Sequence, residues 1–240
     1  MRIQVTIRYI LAFFTLNMIM GELHEQAHIN TGFLVCGCYG ARDFNVWATC
    51  DQCANPSLAF LSTLAGPVFS CILMWVGAFW FTKSKQVFKQ VFGFSLLFAN
   101  LPFARIFTAL MGGGDEKVVI QSLLNDQSNS TLSKILAAII VLLICLPPIL
   151  MVLSKLANRN RGWIIAAFAI IPLLYGMLYH HMFLNSLLKK GILAETHFLG
   201  TPDIILLHLL LMLILFLVCR KGILQLQHPE ARTSEPLLQL

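Results

Sequence analysis

Charge is what this chain has least of. Only 12% of its 240 residues are Asp, Glu, Lys or Arg, against 58% hydrophobic, and its mean hydropathy is +0.76. A soluble domain with so few charges could not cover its apolar surface, so the lipid bilayer is the expected solvent. Three further absences narrow the class. No ten-residue stretch alternates apolar and polar residues like a membrane barrel strand, which leaves helices as spanning elements, because backbone groups in lipid must be satisfied within the chain. No internal repeat, heptad array or low-complexity tract is found, which speaks against a transporter built from repeats. No A-x-A-like cleavage site follows Met20, so the first apolar stretch reads as a span and not as a signal peptide.

What is present is a series of six apolar stretches, near residues 9–20, 58–81, 91–111, 135–153, 163–187 and 204–218. With their flanks each can cross a hydrocarbon core of about 30 Å, which takes about 20 helical residues. The first is the shortest and crosses only if its helix continues through the polar residues after Met20. The expected fold is all-α: a polytopic transmembrane bundle of about six spans over residues 1–222, with a Cys-rich extramembrane loop at 36–56 and a flexible polar tail at 223–240. The net charge of +6 does not point to nucleic acid, because the basic residues sit mostly in short loops beside the spans. With six spans, those flanking the first side (Arg2, Arg8, Lys83, Lys155 and Arg220 among them) outnumber those opposite (Arg42, Lys117, Lys134, Lys189 and Lys190), which places both termini in the cytoplasm.

The chemistry lies in GELHEQAHINTGF. His24-Glu25-Gln26-Ala27-His28 is H-E-x-x-H, placed where the first helix should still be helical, and four-residue spacing puts both imidazoles on one face. Two imidazole nitrogens supply half of a tetrahedral zinc shell, with the adjacent Glu25 in reach of a water as general base. In a chain with seven histidines such a match arises by chance in about one sequence in two hundred. The alternative is a polar helix end or an interhelical contact, but a histidine pair and a glutamate near hydrocarbon are costly unless they have a function.

Depth arithmetic suggests further ligands. At 1.5 Å per residue His24 lies about 24 Å along its helix from Arg8. The third span, running the same way, emerges in that layer at Gly112-Gly113-Gly114-Asp115-Glu116, where glycines allow a sharp turn and close approach. Asp115 is therefore at a compatible depth, with Glu116 beside it. His180 and His181 on the fifth span and His208 on the sixth fall in the same layer, as rival ligands, proton shuttles or interhelical hydrogen-bond partners.

An HExxH inside a spanning helix, Ala65-Gly66-Pro67 in the second span and Asn100-Leu101-Pro102 followed by Gly114-Asp115 in the third together resemble the site-2 protease family of intramembrane zinc metalloproteases, over residues 21–116. The resemblance implies that the first three spans form the catalytic core, that His24, His28 and Asp115 bind Zn2+, and that Glu25 activates water. It departs from the family pattern in three ways. Ser70 stands where an Asn usually helps to hold substrate, leaving Asn100 to contribute. Asp115 is followed by Glu116 and not by Gly, so Glu116 competes as third ligand. Family members commonly open to the cytoplasm, whereas the charge count here puts the HExxH end outside. The implied partners are the bilayer and a membrane-embedded or membrane-proximal protein substrate.

Cys36, Cys38, Cys50 and Cys53 fall in one loop and make either two disulfides, in any of three pairings, that would brace a small cap over the site, or a structural zinc site, or free thiols. Phe44 and Trp47 in that loop either pack on the lipid interface or cover the cleft, with interface anchoring the expected role. The Asn129-Ser130-Thr131 triplet fits a glycosylation sequon but decides nothing. Against the protease reading stand a zinc-dependent hydrolase of lipid amides or esters, whose site His180, His181 and His208 would complete, a metal transporter, and a catalytically silent membrane scaffold.

Overall fold

Residues 1–125 and 131–226 are described by the computed structural model; the sequon asparagine and residues 227–240 of the tail lie outside them. The described residues are mostly helical. Helix α1 (Ile7–Cys36) runs unbroken for 30 residues, started by Thr6, whose hydroxyl accepts the Tyr9 N–H, and stopped by Gly37 in the left-handed region. It therefore carries straight through the polar residues that follow Met20. Four helical stretches are long and apolar enough to cross a membrane, Pro56–Lys83, Val87–Leu110, Thr131–Lys155 and Arg161–Lys189, and Asp203–Cys219 is a shorter apolar helix. The only strands among the described residues are a hairpin of Thr196–Phe198 with Thr201–Pro202.

Helices α2 (Phe60–Lys83) and α3 (Val87–Ala99) pack closely. A methyl group on Gly77 would stand 2.6 Å from the Gly93 carbonyl oxygen, so the small residues let the two backbones meet. The third apolar stretch is not one helix but two. Pro102 has no N–H and its ring pushes Leu101 out of the α region, to φ 53°, so α3 ends at Asn100 and α4 (Pro102–Leu110) starts afresh. The Asn17 amide, on α1, donates to Ala99 O at this break (2.7 Å). Gly112 and Gly114, both at positive φ, then turn the chain into the short α5 (Asp115–Leu123). Helix α6 (Thr131–Lys155) follows. The fifth stretch begins as α7 (Arg161–Tyr175), passes through a π-helical segment, Gly176–Leu184, and ends as α8 (Asn185–Lys189).

The main core is aromatic, with Phe168 of α7 inserted among Tyr9, Phe13, Phe94 and Phe98. One end of the bundle gathers the N-terminus, the α6–α7 connection and the end of the described chain. The Met1 ammonium donates to Lys155 O, Ile3 exchanges backbone bonds with the Asn158 side chain, and Gln4 N–H donates to Leu226 O. Helix α9 (Asp203–Cys219) leads into α10 (Lys221–Leu224), and Ile223 and Leu226 are fully buried in the core. The packed domain thus extends past the expected boundary at 222, because two apolar side chains after Gly222 find a place against the start of α1.

Candidate metal centre

At the other end of the bundle α1 presents its polar turns. His24 and His28 meet through their Nε2 atoms, 3.0 Å apart, and the Asp115 carboxylate reaches both, with Oδ2 3.6 Å from His24 Nε2 and 3.5 Å from His28 Nε2. Among the described residues these three form the group of His, Cys, Asp and Glu ligand atoms close enough to hold a metal ion, all within 4.8 Å of one another. The α4–α5 turn makes this possible, since it brings the first residue of α5 back over α1. Burial favours the neutral form of Asp115, but the two imidazoles oppose it and hold the carboxyl well below the usual carboxylate range.

The surroundings fit a metal. His28 Nδ1 lies 2.7 Å from the Ser62 carbonyl oxygen, which only accepts, so Nδ1 carries the proton and the Nε2 lone pair is free for a ligand. Gly66 of α2 forms a cradle for the rings: a Cβ there would collide with His28 Nε2 and stand 2.6 Å from both His24 Cε1 and His28 Cδ2. Glu25 is buried, lines the same cavity, and its Oε2 has no hydrogen-bond partner in the protein. A carboxylate oxygen desolvated in this way is an unmet acceptor beside the donor set.

The other candidates are distributed around the cavity, which measures about 310 Å³. Ser70 Oγ sits 3.1 Å from His24 Nδ1, so it braces that ring, although it also lines the cavity. Asn100 spends its amide N–H on Leu96 O and leaves a buried Oδ1 without a protein partner. Glu116 also lines the cavity but is not gathered with the histidine pair, and takes a hydrogen bond from Arg105 Nη1 at 2.9 Å. Consecutive helical residues point about 100° apart, so one carboxylate goes to the histidines and its neighbour to the arginine. His180 and His181 form the far wall, the latter beside the Asn45 amide. His208 lies behind His180, ring centroids 5.8 Å apart, and the Nε2 atoms of both are buried without partners. These three histidines are not gathered with His24 and His28.

The cysteine loop folds over the site as a cap. Disulfides join Cys36 to Cys53 and Cys38 to Cys50, so these four thiols make no structural zinc site. Phe44 and Trp47 take the covering role and not the expected anchoring one: Trp47 stacks on the His28 ring (centroids 5.1 Å, 19° between planes) and Phe44 is buried against His180 and His208. The cause is Arg42, whose guanidinium reaches back to Glu22 on α1 in a bidentate pair, 2.9 Å on both arms and almost wholly buried, and so pulls the loop inward.

Four contributors carry no signature in the HExxH pattern: Gly66, Trp47, Arg42 and Arg105. Gly66 stands in the Ala65-Gly66-Pro67 element and Trp47 stands out in the loop, while Arg105 has a signal left unread, as a lone arginine inside an apolar stretch, where a charge has a function by default. No protein-family model, curated protein or solved structure matches this chain.

Proposed function

We propose that this chain is a zinc-dependent intramembrane metalloprotease that hydrolyses peptide bonds in or near the membrane, with His24, His28 and Asp115 as zinc ligands and Glu25 as general base. The observation that carries the reading is the convergence of two imidazole nitrogens and one carboxylate oxygen beside a buried carboxylate with an unmet acceptor. When bound, zinc supplies a Lewis acid that makes water acidic and polarises a carbonyl. Glu25 takes a proton from the attacking water as the new C–O bond forms, and returns it to the nitrogen of the leaving amine as the C–N bond breaks. Ser62 O fixes the His28 ring, Trp47 covers it, and the buried Asn100 Oδ1 accepts a substrate N–H.

Six membrane crossings complete the reading: α1, α2, α3 with α4, α6, α7 through α8, and α9. At 30 residues α1 is about 45 Å long, enough to cross. The N-terminus and residues 221–226 share one end of the bundle, which supports an even number of crossings, and the basic residues favour the cytoplasm for that end. Disulfides in the cap support an oxidising compartment at the opposite end. An apolar cavity of about 530 Å³ between α1 and α7 shares Pro172 with the polar cavity. It supports approach of a substrate from the lipid, past the Tyr175 hydroxyl that donates to Asn17 Oδ1 (2.7 Å).

The test is zinc content of the purified protein in detergent, with hydrolysis of a quenched fluorescent peptide library. About one zinc per chain is expected in the wild type, in Glu25→Gln and in Glu116→Ala, with loss in His24→Ala and Asp115→Ala, and no hydrolysis by Glu25→Gln. Zinc unchanged in both ligand variants overturns the metal site. Full hydrolysis by Glu25→Gln overturns the assignment of the base.

A further inference from the structure

One charged side chain in the cavity has no part in the mechanism above. Among the described residues Arg105, in the first turn of α4, is the only Lys or Arg lining the cavity, and its side chain is nearly buried, at 12% exposure. Its Nη1 donates to Glu116 Oε1 at 2.9 Å. Its Nη2 stands within hydrogen-bond range of both ring nitrogens of His24, 2.9 Å from Nδ1 and 3.4 Å from Nε2. The bond to Glu116 is enough to tie α4 to α5. It leaves unexplained the second arm, which stands at the edge of the ring whose Nε2 meets His28 and Asp115.

The rest of the wall repels negative charge, since Glu25, Asp115 and Glu116 all line it. Two helix starts work with Arg105 against that repulsion. Leu101 and Gly114, which precede α4 and α5, line the cavity and supply no side-chain cap, so the positive ends of both nine-residue helices are open on that wall. Two buried acceptors, Glu25 Oε2 and Asn100 Oδ1, line the same space without a partner in the protein. The cavity is therefore built for a guest that brings hydrogen-bond donors to one set of groups and a negative atom to the other.

A peptide bond under attack by water is such a guest. As the water oxygen bonds to the carbonyl carbon, the C=O π pair moves onto the carbonyl oxygen, which becomes an anion. As the C–N bond breaks, that pair returns to the C=O bond and the nitrogen takes the proton held by Glu25. We propose that Arg105 is a further catalytic residue, whose Nη2–H donates to this oxygen anion while Glu116 holds the guanidinium in place. The charge is absent from the intact peptide, so the contact lowers the barrier without tightening substrate binding. The inference rests on the protease reading.

The test uses zinc-loaded protein in detergent, peptides amidated at the C-terminus, and a phosphinate peptide in which P(O)(O−)–CH2 replaces the scissile amide. The tetrahedral phosphorus of that peptide carries the negative oxygen permanently. Arg105→Met with Glu116→Gln removes the donor without leaving a buried carboxylate unpaired, and Arg105→Lys keeps the charge. The double variant should lower kcat by about 10²–10³-fold with KM within about threefold and about one zinc per chain retained. Its phosphinate affinity, read by calorimetry, should fall by the same factor as kcat/KM, with Arg105→Lys between it and the wild type. Unchanged kcat and phosphinate affinity overturn the assignment, as does a loss that appears in KM alone or in zinc content. So does a loss confined to peptides with a free C-terminal carboxylate, which would make Arg105 a reader of chain ends. Wild-type protein that holds zinc but neither hydrolyses the peptides nor binds the phosphinate overturns the protease reading and this inference with it, an outcome distinct from all of these.

Discussion

Gly66→Ala tests the site with the smallest change available. The added methyl would lie 2.6 Å from His24 Cε1 and 2.6 Å from His28 Cδ2. Carbon atoms rest at about 3.5–4.0 Å, so each ring must give way by about 1 Å. The helices cannot simply part, because the His28 Nδ1 bond to Ser62 O ties α1 to α2 one turn away. Zinc–imidazole bonds are about 2.0–2.1 Å with a tolerance of about 0.2 Å, so a shift of that size takes at least one ligand out of range. We expect zinc affinity to fall at least a hundredfold, about 2.7 kcal/mol. The fold itself should lose little. Overpacking costs about 1–3 kcal/mol, and alanine regains about 1 kcal/mol over glycine within a helix. Zinc titration and thermal unfolding of the metal-stripped protein, both in detergent, separate the two effects. Gly21→Ala is the control, since its new Cβ meets nothing within 4 Å. Zinc affinity within threefold of the wild type in Gly66→Ala would refute the cradle.

The cap yields three further expectations. Arg42→Ala leaves the Glu22 carboxylate buried without its partner and should cost about 3–5 kcal/mol in denaturant unfolding, whereas Glu22→Gln with Arg42→Met together should cost less; equal losses would show that the pair is not the cause. Trp47→Ala uncovers His28 and should speed zinc release to a chelator about tenfold or more; an unchanged rate means the indole shields nothing. Cys38→Ser with Cys50→Ser removes a crosslink across 12 residues and should lower stability by about 3 kcal/mol while zinc stays at one per chain; a drop in zinc content would return metal binding to the cysteines.

Much of the fold was legible because the bilayer imposes a coarse rule: apolar stretches of sufficient length become helices. The continuation of α1 through Glu22, His24 and Glu25 follows from the same rule, since a span that stopped at Met20 would be too short. The break at Asn100 and Leu101 was signalled by Pro102, but a sequence does not say whether a proline kinks a helix or divides it. In the site, the histidine pair was legible from local spacing, and Asp115 was within reach of a depth argument. The choice between Asp115 and Glu116 was not, since the two are adjacent and only the position of Arg105, fixed by α4, sends Glu116 elsewhere. A cap braced by two disulfides was legible in the four loop cysteines, but the contact that turns it inward was not. Its inward fold depends on a contact between residues 22 and 42 across a turn of the chain, and neither residue is unusual alone.

The cap also bears on the side from which substrate arrives. Two disulfides close a loop whose Arg42 and Trp47 hold α1 and the His28 ring. In a reducing cytosol thiols prevail, and the loop would lose the crosslinks that keep it folded over His28. An enzyme working on the cytoplasmic side would gain nothing from such a cap, so its presence and the excess of basic residues at the opposite end point the same way. The site-2 proteases that this chain resembles commonly open to the cytoplasm. On the proposed reading the site would face the other compartment, with substrate reaching it from outside or through the lipid, and with the cap on one flank of the His24, His28 and Asp115 cluster as the element that restricts access.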